Sequence, residues 1–307
     1  MIKLVLIGNQ GQVGWQLSRS LAPLGELVAL NRYSNNGLCG DLTRLNALRA
    51  TVRAIAPDVI VNAAAYTAVD RAESEPDLAA LINALAPQVL AEEAAALGAW
   101  LVHYSTDYVF DGSGTAPWCE TDSTAPLNVY GRSKRDGELE IIARGCKHLI
   151  FRTSWVYAAR GNNFIHTMLR LAKEKDSLQV IDDQFGAPTG AELIADVTAL
   201  ALRQGLSQDR ESGLYHLAAA GETTWFEYAK HVIARARDAG WPVRVADEAI
   251  VPVTTDAFHT VAVRPHNSRL NRQRLQSTFG LQMPDWRVGV DRALDEILAH
   301  YTTSTSR

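Results

Sequence analysis

The sequence predicts an α/β fold, a doubly wound parallel sheet with a smaller lobe added in its second half. Three observations carry that expectation. Continuous apolar runs, the kind that fill strands buried on both faces, alternate with helix-period stretches through the first half. The first of these runs breaks into a glycine turn that opens a helix. The 307 residues suffice for one large α/β unit plus a companion, and at 47% hydrophobic they can pack a core.

Leu4 to Ile7 is the first strand, ended by Gly8 and followed by Gly11 and Gly14. Gln12 to Leu24 continues as a helix with Val13, Leu17 and Leu21 on one side. A strand, a glycine turn and a helix N-terminus together present backbone N–H groups and partial positive charge to a pyrophosphate. The GxxGxxG spacing departs from the plain GxGxxG fingerprint, so the flanking strand and helix carry the inference. Gly8, Gly11, Gln12, Val13 and Gly14 are therefore expected to hold a dinucleotide in a Rossmann-type sheet.

Glu26 to Leu30 reads as the second strand, ending at Asn31-Arg32. An acid at this place would accept from the 2′-hydroxyl of NAD and repel the 2′-phosphate of NADP. Asn31 can bond either ribose and Arg32 can pair with a phosphate, so NADPH is expected to serve at least as well as NADH. Asp41-Leu42, a further expected cofactor contact, begins the next crossover, with a helix from Thr43 to Ala56. Asp58 to Ala63 is the third strand, and Ala63, Ala64 and Ala65 leave room for a cofactor at its C-terminal end.

A helix is expected from Asp77 to Gly98, irregular near Pro87, and then a fourth strand from Ala99 to Ser105. The loop Asp111 to Pro126 is long enough to form a lid or a substrate edge. Asn128 begins a helix that places Tyr130, Lys134 and Glu138 on one face. Gly131 and Gly137 weaken it by roughly 1 kcal/mol each and make sense where something packs closely. Lys147 to Val156 gives another strand.

In the second half, helices are expected from GNNF (Gly161 to Phe164) to Lys175, from Ala191, from Thr224 to Ala239, near Asn271, and from Arg287 to His300 before a frayed tail. Short strands are expected near Val180 and at Leu214 to Ala218.

The net charge of −4, with no basic block, gives no support to nucleic-acid binding. No apolar run approaches membrane-spanning length, and no secretory leader is visible. Three irregularly spaced cysteines read as reduced thiols in a cytoplasmic protein.

Tyr130 and Lys134 carry the chemistry. A free phenol titrates near 10, and a nearby ammonium stabilises the phenolate, making Tyr130 a usable general acid. Thr106 can donate to a carbonyl oxygen as it gains charge. Chance alone yields about 0.2 YxxxK pairs in a chain of this composition, so the pair needs the signals around it.

Those signals are LIGNQGQVG, NAAAYTAVD, STDYVF and NVYGRSK, in which the chain resembles the extended short-chain dehydrogenases. FRTSWVYA, GNNF, DDQFGAPT and RPHNSRL make it similar, over nearly its whole length, to the dTDP-4-dehydrorhamnose reductase family. The resemblance implies NADPH- or NADH-dependent reduction of the C4 ketone of dTDP-4-dehydro-L-rhamnose to dTDP-L-rhamnose, a donor for surface polysaccharide. It implies that Tyr130 protonates the ketone oxygen, that Lys134 tunes Tyr130 and holds the nicotinamide ribose, and that Thr106 polarises the carbonyl. Asp107, Tyr108 and Trp155 would border the sugar, with Asn163 and Arg264 toward the sugar nucleotide.

The division implied is a NAD(P)-binding Rossmann domain over 1–152, rejoined by segments near 189–220, and a mainly substrate-binding lobe over 153–307. Magnesium-dependent homodimers are also implied, with Glu192 and acids of the last helix as ligands, although the sequence shows no metal constellation.

Two departures stand out. Asn31-Arg32 replaces an acidic strand end, and Arg135 replaces an apolar residue after the lysine. A 4,6-dehydratase would carry a glutamate where Tyr108 stands, which argues against water elimination. An epimerase of the same fold, and a non-catalytic regulatory subunit related to that of methionine adenosyltransferase, remain as alternatives. Intact Tyr130, Lys134 and Thr106 favour an enzyme over the latter.

Overall fold

A computed structural model of the chain describes residues 1–33, 37–208 and 212–305, with side chains described to residue 299 apart from residue 208. The first half alternates strand and helix: β1 (Lys3–Ile7), α1 (Gln12–Ser20), β2 (Glu26–Leu30), α2 (Leu45–Ile55), β3 (Val59–Asn62), α3 (Val69–Ala72), α4 (Pro76–Ala80), α5 (Ala86–Leu97), β4 (Trp100–Thr106), α6 (Val129–Ala143) and β5 (Lys147–Thr153). The second half continues with β6 (Val156–Tyr157), α7 (Phe164–Glu174), β7 (Leu178–Ile181), β8 (Phe185–Gly186), β9 (Thr189–Gly190), α8 (Ala191–Gln208) and β10 (Gly213–His216). It closes with β11 (Thr223–Thr224), α9 (Trp225–Asp238), β12 (Ile250–Val253), α10 (Gln273–Phe279) and α11 (Trp286–Thr305).

The main sheet has the order β10-β5-β4-β3-β1-β2, and every pair in it is parallel. Leu4 to Ile7 and Val59 to Val61 are buried on both faces, as the apolar runs require. One face packs Leu6, Val61 and Val102 against Leu17 of α1 and Ile194 of α8. The other packs Val5, Ile60 and Leu101 against Leu48 of α2 and Leu90 of α5. A separate core joins α7, α9 and α11 around Tyr228 and Trp286. No helix among the described residues is long and apolar enough to cross a membrane.

Several boundaries differ from the sequence reading for local reasons. The first helix ends at Ser20 and a 3₁₀ turn covers Ala22–Leu24, because Pro23 cannot donate into a continuing helix. The long helix is broken by a π turn at Leu81–Leu85. Pro87 lacks the N–H that would bond the Asn83 carbonyl, and the wider turn absorbs the gap. The Asn83 side chain bonds the Tyr66 backbone and Ser133 of α6, and a Cβ at Gly137 would stand 2.1 Å from the Asn83 carbonyl oxygen.

The strand expected to reach Val156 stops at Thr153. Trp155 adopts φ +49°, and Val156 then pairs with Thr189 in a small separate sheet. β12, which pairs with β7, was not expected from the sequence. The last helix extends to Thr305, so the tail expected to fray is helical that far, and the final two residues lie outside the described ones.

Candidate active site

A cleft of about 800 Å³ runs across the C-terminal ends of β1, β3, β4 and β5. Parallel sheets gather loops and helix N-termini at this edge. Gly8, with φ +89°, lies so close to β3 that a Cβ would stand 2.7 Å from the Ala64 nitrogen. A Cβ at Gly14 would stand 2.0 Å from the Gly8 carbonyl oxygen, so Gly14 packs the turn and does not line the cleft. Gly11, Gln12 and Val13 do line it, with Gly11 as the N-cap of α1. Asn31, Arg32, Asp41, Leu42, Ala63, Ala64 and Ala65 continue the same wall. Arg32 faces Asp41 at 3.6 Å. Burial raises the Asp41 carboxyl, but hydrogen bonds from Thr43 and the Arg32 charge outweigh it and leave the group below its ordinary value.

Asn128 caps α6 by accepting from the Gly131 N–H at 2.8 Å. A Cβ at Gly131 would stand 2.2 Å from the Tyr108 carbonyl oxygen, so α6 sits directly against the end of β4. This brings Tyr130 and Lys134 to the cleft beside Thr106, Asp107 and Tyr108. Burial pushes the Tyr130 phenol up to about 12, and a hydrogen bond with Thr106 pulls the other way. The expected lowering by Lys134 is therefore not seen in this state.

Lys134 donates to the Tyr104 carbonyl oxygen at 2.5 Å and meets His103 Nε2 at 3.1 Å. Burial brings its ammonium down to about 8, with the Glu138 carboxylate opposing. Glu138 is held in turn by Arg152 through two buried bonds of 2.9 and 2.6 Å.

The Thr106 hydroxyl donates to Asp107 Oδ1 and accepts from the Tyr108 N–H. Burial pushes the Asp107 carboxyl up to about 6, with hydrogen bonds from the Ser268 and Thr106 side chains opposing. Trp155 lines the cleft and stacks on Trp225 with centroids 3.7 Å apart. Trp225, at the start of α9, was missed by sequence reasoning, although a tryptophan opening an amphipathic helix is a usable signal. Thr153 and Ser154 also line the cleft without having been anticipated.

Asn163 and Arg264, expected toward the sugar nucleotide, are not among the residues that line the cleft. Asn163 caps α7 and donates to Gln12 Oε1 and the Ala158 carbonyl, so it braces the cleft wall from outside. Arg264 closes on Asp70 at 2.7 Å, with its carboxylate partner also accepting from Ala262 N–H. The Asp111–Pro126 loop, expected as a lid or a substrate edge, packs on a neighbouring segment. It is tied to the 264–271 segment through Trp118 and Asn267, and none of it lines the cleft.

The residues implied for magnesium do not fit a metal. Glu192 faces the Arg292 cation at 3.3 Å, and Asp291 is paired with His231 and Arg235. Among the described residues no group of three or more His, Cys, Asp or Glu side chains could hold an ion.

Comparison with known proteins adds a family to this geometry. The RmlD substrate binding domain family matches residues 2–299. The dTDP-4-dehydrorhamnose reductase of Escherichia coli K12 is 56% identical over 296 residues, 96% of this chain and 98% of that one. The protein of the same name from Burkholderia thailandensis is 46% identical over 302 residues, covering 97% and 100%. The crystal structure of a Bacillus anthracis dTDP-4-dehydrorhamnose reductase in complex with NADP is similar with a TM-score of 0.85. It is 35% identical, over 96% of this chain and 100% of that one.

Proposed function

The chain belongs to the dTDP-4-dehydrorhamnose reductase family, and on that premise we propose that it reduces the C4 ketone of dTDP-4-dehydro-L-rhamnose to dTDP-L-rhamnose. The observation that carries the reading is the convergence of Tyr130, Thr106 and Lys134 on one cleft that also opens onto the N-terminus of α1. Gly8, Gly11, Gln12, Val13, Arg32 and Asp41 would hold NADPH or NADH along this wall, with the α1 N-terminus suited to its pyrophosphate. A bound reduced nicotinamide supplies the hydride to the ketone carbon.

Tyr130 breaks its O–H bond to protonate the ketone oxygen, and the tyrosinate takes a proton from the Lys134 ammonium, directly or through a hydroxyl between them. Thr106 rotates its proton from Asp107 toward the developing alkoxide. Tyr108 and the Trp155–Trp225 stack border the sugar ring.

The division that follows is a cofactor domain over 1–152, joined by α8 and β10, and a substrate lobe over the rest. We place the reaction in the cytoplasm, which suits three free thiols. The family resemblance further implies a homodimer, which sedimentation of the purified chain tests.

The direct experiment gives the purified protein its ketosugar nucleotide with each reduced nicotinamide, with and without EDTA. Loss of reduced-nicotinamide absorbance in both arms is expected. No oxidation with either cofactor overturns the reading, and loss only on chelation overturns the metal-free site.

A further inference from the structure

The cleft wall hides a chain of hydrogen bonds that runs from a backbone amide to the reactive lysine. Register places Asn62 of β3 directly beside His103 of β4. Both side chains are 1% exposed. The backbone N–H of Ala64 can only donate, and it donates to Asn62 Oδ1 at 3.2 Å. Asn62 must then turn its NH₂ toward His103, where Nδ2 and Nδ1 are 3.2 Å apart. Two donors cannot share that contact, so His103 Nδ1 is the bare nitrogen and Nε2 carries the proton. Nε2 is the atom 3.1 Å from Lys134 Nζ.

We propose that His103 is a positioning residue for ketone reduction, holding its Nε2–H against the lone pair of Lys134 and so stabilising the neutral amine left when that lysine passes its proton on. The proposal rests on the roles given to Tyr130 and Lys134 above.

The proton balance is simple. Each turnover takes one proton from Tyr130 for the new alcohol; the Lys134 N–H bond breaks as the tyrosinate O–H forms. The resulting amine keeps two protons and a lone pair. One N–H remains on the Tyr104 carbonyl oxygen, and the lone pair accepts from His103. A proton from water restores the ammonium before the next turnover.

With an ordinary ammonium the transfer would be less favourable, since the ammonium holds its proton more tightly. An ammonium facing the Nε2–H meets donor against donor, and the alternative tautomer moves the same conflict to Asn62. Burial alone already brings the Lys134 ammonium down to about 8, and the donor conflict acts in the same direction. The other charged groups near Lys134 are few: Glu138 on its own helix favours the ammonium, and Arg152 on β5 neutralises Glu138. Tyr130 on α6 and Asp107 beside β4 face the cleft side.

Two substitutions reverse the polarity of the chain. His103→Gln offers Lys134 a carbonyl acceptor. Asn62→Asp keeps the ring but accepts from Nδ1–H, which leaves Nε2 bare. Both favour the ammonium. The basic limb of the kcat/KM profile is expected to move up by about one pH unit in each, with kcat at neutral pH lowered several-fold and cofactor KM little changed.

In the parent protein, ¹⁵N-histidine spectra assigned through the backbone should show His103 bare at Nδ1 and protonated at Nε2. A basic limb unmoved in the variants that fold, or a His103 protonated at Nδ1, overturns the proposal. The spectrum decides without turnover, so a parent that reduces no ketosugar sinks the preceding reading alone.

Discussion

Thr106 points its hydroxyl at Asp107, with Oγ1 3.0 Å from Oδ1 of that buried carboxylate. The pair ties the proposed carbonyl donor to a destabilised acid. The Asp107 carboxyl lies near 6 because of burial, above its unfolded value. A raised carboxyl value costs little stability well below 3.8, where both states are protonated. The cost grows between the unfolded and folded values and is constant above them. Asp107→Asn should therefore stabilise the fold at pH 8 by on the order of 2–3 kcal/mol and leave it little changed near pH 3.5. Turnover should fall, because Thr106 loses its anionic partner. Thermal melts at the two pH values check the first part, and a melting point equally raised at both would refute it.

Tyr130→Phe removes the proposed proton donor to the ketone oxygen. We expect kcat to fall by roughly 100-fold or more with cofactor affinity nearly intact. The phenol lies near 12, so the parent should show no activity limb from its ionisation below about pH 10. Steady-state rates across pH, with cofactor titrations by fluorescence, separate the two effects.

Arg32 is held loosely by Asp41 and its side chain is 63% exposed, so it is free to meet a phosphate. Arg32→Ala should lower kcat/KM for NADPH by about tenfold relative to NADH. The measurement is the ratio of the two specificity constants in parent and variant; an unchanged ratio means that the guanidinium faces only water and Asp41.

Gly186 lies under Trp155, where a Cβ would stand 2.7 Å from the indole Cε2. Trp155 is already held at φ +49°, a region bulky side chains avoid. Gly186→Ala should push the indole off its stack with Trp225, costing about 1–3 kcal/mol of stability. KM for the sugar nucleotide should rise while KM for NADPH holds. Equal rises in both constants would place the stack outside the sugar end of the cleft.

Much of the site was legible because its parts lie on regular elements. The strand, glycine turn and α1 follow from the Leu4–Ile7 run and the spacing of Gly8, Gly11 and Gly14, and the turn of α6 from the distance between Tyr130 and Lys134. What stayed hidden depends on contacts between segments distant in the chain. The polar exchange among Ala64, Asn62, His103 and Lys134 depends on strand register, which no local pattern reports. Trp225 and Trp155 are 70 residues apart in sequence, and Trp155 itself takes the left-handed conformation just beyond β5. Arg264 and Asn163 were expected at the ligand, yet each is committed to a neighbour the sequence does not reveal, Asp70 and Gln12.

The widened turn at Leu81–Leu85 has a bearing on engineering. It offers a carbonyl and an amide to α6 at Gly137 and Ser133, one turn apart, so it serves as the saddle on which the reactive tyrosine and lysine ride. Anyone grafting this helix onto another scaffold has to transplant that proline-induced saddle too, or the phenol will be delivered to the wrong height above the sheet.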